Sequence, residues 1–137
     1  MKKTLLLVIA AIMVFAACDE KHTRNQGPSI LGSWQLTDIF YQSQFGGVHH
    51  EELEGTTIYH FQTGNQLMVT TITDGDTTVE DNLGWTLYCD TLMMFQHRDT
   101  DEEPGMPGVM QIQKLTDEEM RWCNLILGDV YIDLKRL

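Results

Sequence analysis

Basic residues are scarce in this sequence. Nine Lys and Arg stand against 20 Asp and Glu, and the formal net charge of the 137 residues is −11. Because so acidic a chain repels phosphate backbones, its composition argues against nucleic-acid binding. Catalytic motifs are also lacking: there is no G-x-S-x-G or other recognisable nucleophile setting. We therefore expect neither an enzyme nor a cofactor.

No apolar run is long enough to span a membrane. Residues 5–17 form an uncharged apolar stretch, and a spanning helix needs about 20 such residues. Lys2 and Lys3 precede this stretch and acidic residues follow it, a layout typical of a secretory signal peptide. A buried core helix is the alternative, but it would crowd charges at both of its ends. We predict that residues 1–17 are a signal peptide.

Helical periodicity of useful length is absent from the rest of the chain. Residues 18–29 are mostly polar, with Gly-Pro near the end, and predict a flexible tether. From residue 30 onward, β-prone runs alternate with turn residues, at 32–42, 56–62, 66–73, 77–88, 91–97, 108–115, 119–127 and 130–137. Eight antiparallel strands with short connections favour an all-β, up-and-down barrel over residues 30–137. An open sandwich is the alternative that the same pattern allows.

Cysteine is also rare, with three residues in the chain. Cys89 falls in a predicted turn and Cys123 in a predicted strand two strand spacings away. That separation of about 10 Å exceeds the reach of a disulfide. We predict that Cys89 and Cys123 are free or semi-buried thiols.

The third cysteine, Cys18, directly follows the apolar stretch. Phe15-Ala16-Ala17-Cys18 resembles the lipobox of bacterial lipoproteins, in which the cysteine becomes an acylated mature N-terminus. The resemblance implies that Cys18 anchors the chain in a lipid bilayer, since several acyl chains at about 0.8 kcal/mol per methylene bind almost permanently. Asp19 resembles an inner-membrane retention signal in some bacteria and a surface-export signal in others. We expect the cell envelope, at the outer membrane.

Gly32-Ser33-Trp34, at the start of the first predicted strand, resembles the G-x-W signature of lipocalins. The resemblance extends over about residues 30–137 and implies a lipocalin-like (calycin) barrel. In that family the tryptophan closes the barrel floor and packs against an arginine near the end of the chain. Arg136 has the parity of the apolar residues in the last strand, so it should face inward beside Trp34. The resemblance thus implies a structural floor of Gly32, Trp34 and Arg136.

Two acidic loops contain residue types that bind metals. The first, residues 48–55, includes His49, His50, Glu51 and Glu52, but adjacent residues rarely converge on one ion. The second, residues 98–108, has Pro104 and Met110 where an EF-hand needs glycine and glutamate. We predict solvated loops and no metal site. Two further histidines, His60 and His97, should be hydrogen-bonded strand residues.

Large apolar side chains give the main hint of function. Aromatic residues and methionine line adaptable pockets, although they also fill small barrels. We take as ligand-binding candidates Phe61, Trp85, Met94, Met110 and Trp122, while the small residues Thr57, Thr70 and Gly84 would leave room near the mouth. One hypothesis is a carrier or sensor that holds a small apolar ligand. The other is an interaction module with a closed barrel, whose acidic loops contact an envelope protein or glycan. We rank the carrier first because of the resemblance.

Overall fold

The computed structural model describes residues 28–97 and 108–137. The predicted signal peptide, Cys18, the tether up to residue 27 and residues 98–107 of the second acidic loop lie outside this range. Within the range, no helix has the length and apolarity needed to cross a bilayer. All of the strands described below, and the core that they enclose, lie between residues 28 and 137.

The described chain forms one antiparallel sheet of nine strands. They are β1 (Gly32–Gln42), β2 (Val48–His50), β3 (Thr56–Gln62), β4 (Gln66–Thr73), β5 (Asp76–Tyr88), β6 (Thr91–Gln96), β7 (Gly108–Leu115), β8 (Glu119–Asn124) and β9 (Val130–Arg136). Apart from the short β2, each strand pairs with the next along the chain, and β9 returns to pair with β1. This last pairing closes the sheet, so the predicted eight-stranded up-and-down barrel is confirmed and the open sandwich is excluded.

Two local features differ from the sequence-based expectation. Part of the first acidic loop forms β2, which pairs only with the end of β1, with His50 opposite Phe40. In addition, residues 125–127 form a turn rather than the end of a strand. The side-chain oxygen of Asn124 accepts hydrogen bonds from the backbone N–H groups of Ile126 and Leu127, at 2.9 and 3.0 Å. This local bonding ends β8 despite the apolar sequence that follows.

The barrel has two distinct ends. At the floor end lie the start of β1 and the turns at residues 63–65, 89–90 and 116–118. At the mouth end lie residues 43–55, the turn at 74–75 and the turn at 125–129. The buried core consists of Ile30, Trp34, Phe61, Leu67, Trp85, Leu92, Met110, Met120, Trp122 and Leu134. Most of these residues lie within a few positions of a floor-end turn, so the floor half of the barrel is filled by side chains.

The cysteines agree only in part with the expectation. Cys123 is a buried free thiol, as predicted. Cys89 is disulfide-bonded, so the prediction of two free thiols is wrong for this residue. The spacing argument considered only a Cys89–Cys123 bond, and the structure does not form that bond.

Candidate ligand-binding cavity

The floor of the barrel is built around Trp34 and Arg136, which are register partners on β1 and β9. The Arg136 Cζ atom lies 4.2 Å from the centroid of the fully buried Trp34 ring. The guanidinium also donates to the backbone carbonyls of Ser29, Leu31 and Asp117, at 2.5, 2.7 and 2.7 Å. Arg136 therefore joins the segment before β1, the β7–β8 turn and the buried indole.

Gly32 belongs to the same unit for a steric reason. Its φ is +120°, and a Cβ atom added there would lie 2.7 Å from Nη1 of Arg136. A side chain at this position would strain the backbone and displace the guanidinium at once. Two residues further on, the Trp34 indole N–H donates to the carbonyl of Ile30 at 2.7 Å. The contact between Trp34 and Arg136 that the strand register implied is thus present.

Four of the five ligand-binding candidates lie in the buried core: Phe61, Trp85, Met110 and Trp122. The Phe61 ring meets Trp85 edge-on, with centroids 5.5 Å apart, and meets Trp122 edge-on at 6.1 Å. Such edge-to-face packing fills space efficiently. These aromatic side chains therefore support the floor half of the barrel from within.

The two neighbouring core indoles differ in their hydrogen bonding. The Trp85 N–H donates to the carbonyls of Gln62 and Gln66, at 3.3 and 3.0 Å. By contrast, the Trp122 N–H is fully buried and has no partner among the described residues. An unpaired buried donor costs about 1–3 kcal/mol.

This difference gives a matched prediction. Trp85→Phe and Trp122→Phe remove the same atoms from the core, but only the first removes satisfied hydrogen bonds. We expect Trp85→Phe to lower the free energy of unfolding by about 1–3 kcal/mol more than Trp122→Phe. Urea denaturation of the two variants measures the difference directly. Equal destabilisation would mean that the indole bonds to Gln62 and Gln66 contribute nothing.

Above this core, towards the mouth, lies a cavity of about 320 Å³. Its lining is mainly apolar and comes from β3 to β6: Tyr59, Leu67, Val69, Glu80, Leu83, Met94, Phe95 and Gln96. Met94 is the one ligand-binding candidate among them. The volume lies at the lower end of the range of small-molecule sites, about 300–1,000 Å³. The cavity is therefore large enough for one compact ligand.

Two polar side chains of the lining, Tyr59 and Glu80, were not among the candidates. Tyr59 lies edge-on to Trp122 at 5.1 Å, and burial, followed by the negative charge of Glu80, raises the pKa of its phenol. The phenol is thus held in its neutral, hydrogen-bond-donating form. Glu80 is the register partner of Val69 and so points to the same, inward face.

The inward direction of Glu80 comes from a bulge. Alternation counted back from the inward-facing Trp85 reaches Leu83 and then Asp81, which would leave Glu80 outside. However, the register between β4 and β5 shifts between Leu67 and Val69, and this shift reverses the faces for the rest of β5. The inward direction of Glu80 could have been predicted only if the sequence had indicated this bulge.

The remaining candidates lie outside the cavity. His49 stacks on Tyr41 at 5.3 Å, and Nδ1 of His50 lies 2.8 Å from Asp38. His60 lies between Ser33 and a β4 threonine, at 2.8 and 3.3 Å, and is a hydrogen-bonded strand histidine as predicted. The described ranges contain no group of three or more His, Cys, Asp or Glu that could hold a metal ion.

The small residues Thr57, Thr70 and Gly84 were expected to leave room inside the barrel near its mouth, and two of them do not. Thr70 bonds to His60 on the outer face of the sheet. Gly84 is also on the outer face, next to the inward Trp85, and the Phe95 ring covers it so closely that an added Cβ would lie 2.5 Å from that ring. The expectation that these two residues leave space inside the barrel is therefore wrong. The cavity instead lies between other side chains, among them Val69 and Leu83.

Comparison with known proteins supports the fold. No protein-family model matches this chain, and no curated protein matches it. Among solved structures, the chain is similar to a lipocalin-like protein from Bacteroides uniformis ATCC 8492, with a TM-score of 0.60 and 15% sequence identity. The match covers 79% of this chain and 98% of the other. At this identity the likeness shows the fold alone: the described chain is a lipocalin-like barrel.

Proposed function

We propose that this protein is a lipid-anchored, lipocalin-like carrier or sensor of the bacterial cell envelope that binds one small, largely apolar molecule. The observation that carries the proposal is the 320 Å³ cavity above the packed core. Four of its lining residues have aliphatic or thioether side chains: Leu67, Val69, Leu83 and Met94. Burial of a ligand against them is worth about 25 cal/mol per Å² of apolar surface.

The shape of the interior supports a compact ligand rather than a long one. The floor half holds three tryptophans and is fully packed, so a ligand cannot pass below Leu67 without displacing the core. The lipocalin-like fold gives independent support, since barrels of eight strands can hold one small ligand.

The cavity is tested by filling it. Val69→Phe adds bulk to the cavity wall, whereas Val79→Phe makes the same change on the same sheet at a position that is 53% exposed. Residues 19–137, which contain the whole barrel, are titrated with the uncharged fluorophore N-phenyl-1-naphthylamine. We expect wild type and Val79→Phe to bind it equally and Val69→Phe to bind it at least about tenfold more weakly, the equivalent of 1.4 kcal/mol. Equal binding by all three, or no binding by wild type, would contradict the proposal.

The anchor is tested at Cys18. If this residue carries acyl chains, the full chain expressed in a bacterial envelope should fractionate with membranes, and Cys18→Ala should release it. Because Cys123 is a free thiol, a disulfide at Cys89 and a thioether at Cys18 cannot both form within one chain. Intact mass before and after reduction therefore provides a second readout that decides between them. Continued membrane association of Cys18→Ala, or a mature mass without acyl chains, would reject the anchor. Separation of inner and outer membranes then tests the expected outer-membrane location.

A second candidate function is the interaction module. The observation that favours it is a set of solvent-exposed apolar side chains at the mouth end. Phe45 is 99% exposed, and Leu125, Ile126 and Leu127 are 49%, 52% and 71% exposed. Their two loops are adjacent, because the N–H of Gln42 donates to the carbonyl of Asp129 at 3.2 Å. Exposed apolar groups that lie together often mark contact surfaces.

A further inference from the structure

The lining of the cavity is chemically asymmetric. Most of it is apolar, and its polar groups are the Tyr59 hydroxyl, the Gln96 amide and the Glu80 carboxylate. None of the lining residues that the structure describes is basic. A ligand that fills this cavity therefore meets an apolar wall at one end and a carboxylate at the other.

The charge on Glu80 has no protein counterion within the described residues. The ion pairs found there join Asp38 to His50, Lys114 to Glu119 and Arg121 to Asp133, and none of them includes Glu80. The bulge in β5 nevertheless turns this carboxylate inward, opposite the core-packed Val69. Glu80 is exposed and therefore stays charged without a partner, but an unpaired carboxylate at the edge of an apolar cavity still favours a ligand that carries a positive charge.

We propose that the ligand is an amphipathic cation, a proposal that rests on the proposed function. Its compact apolar body lies in the cavity, and its ammonium group lies at Glu80. The ammonium donates charge-assisted hydrogen bonds to the carboxylate, and the neutral Tyr59 hydroxyl and the Gln96 amide complete its polar surroundings. Fatty acids and other apolar anions are disfavoured, because Glu80 repels them and the described part of the lining offers no basic partner.

The experiment compares three ligands with the same eight-carbon chain. Octylamine, octanol and octanoate are used to displace N-phenyl-1-naphthylamine from residues 19–137 at pH 7. Glu80 is exposed, so water and salt weaken its attraction for a cation. We therefore expect octylamine to displace the probe at about tenfold lower concentration than octanol. Octanoate should be the weakest of the three, and the advantage of octylamine should shrink at high salt.

Two variants with the same net charge isolate the site. Glu80→Gln should remove the advantage of octylamine and leave octanol unchanged, which also shows that the variant is folded. Glu118→Gln makes the same change in the exposed turn at the floor end and should keep the advantage in full. Loss of the advantage in both variants, or no difference between octylamine and octanol in wild type, would overturn the amphipathic cation while the cavity proposal stands. Failure of wild type to bind the probe or any of the three ligands would overturn both.

Discussion

Trp34→Ala should lower the free energy of unfolding by about 3–5 kcal/mol, as truncation of a buried aromatic side chain usually does. Trp34 is fully buried, donates its indole N–H to Ile30 and lies beneath the Arg136 guanidinium at 4.2 Å. Removing the ring therefore creates a cavity. It also exposes one face of the Arg136 guanidinium, which donates hydrogen bonds to three backbone carbonyls. Urea denaturation of residues 19–137, followed by circular dichroism, measures this change.

Phe45→Ala is the matched control for Trp34→Ala, because it truncates an aromatic side chain that is 99% exposed. We expect its stability to stay within about 0.5 kcal/mol of wild type, as for most surface substitutions. A stability of Trp34→Ala near that of Phe45→Ala would show that Trp34 and Arg136 do not hold the floor together.

Gly55→Ala should destabilise the barrel about two to three times as much as Gly75→Ala. The two glycines have nearly the same φ, +84° and +88°, so the alanine backbone strain of about 1–2 kcal/mol is common to both. A Cβ at Gly55, however, would lie 2.1 Å from the backbone oxygen of Ile72, whereas a Cβ at Gly75 meets nothing within 4 Å. Because a strand oxygen cannot rotate away as a side chain can, β3 and β4 must separate at the mouth end. We expect this to cost about 1–3 kcal/mol beyond the backbone strain.

The difference between the two alanine variants is measured by urea denaturation under identical conditions. Gly75→Ala reports the backbone strain alone, and the additional loss in Gly55→Ala reports the close approach of the loop to β4. If the two variants lost the same stability, the close approach of Gly55 to the backbone oxygen of Ile72 would not constrain the segment that leads into β3.

The barrel was predictable because alternation and tight-turn pairs act locally. Turn residues such as Gly-Asn at 64–65 and Gly-Asp at 128–129 separate the predicted strands. Most of the predicted strand ends lie within a residue or two of those observed. The strand that was missed, β2, is short and wholly exposed, so it has no buried face to give it a pattern. The end of β8 was misplaced because a single Asn124 side chain outweighs the strand preference of three apolar residues.

The cavity was less predictable than the barrel. Phe61 and Met94 both face inward, but Phe61 belongs to the buried core and Met94 lines the cavity. The difference depends on how deep in the barrel each side chain lies. Depth depends on the stagger between strands, which the pattern of a single strand does not contain. Glu80 was missed for a related reason, since a bulge reverses the faces of β5 between Trp85 and Val79.

The most direct test of a ligand-binding barrel is native mass spectrometry of residues 19–137 purified from an envelope extract. The account predicts one small molecule per chain, bound without a covalent bond, with a basic group and a size that fits 320 Å³. The same preparation of Val69→Phe should carry markedly less of it. A bare protein mass that stays bare when octylamine and octanol are added would contradict the account.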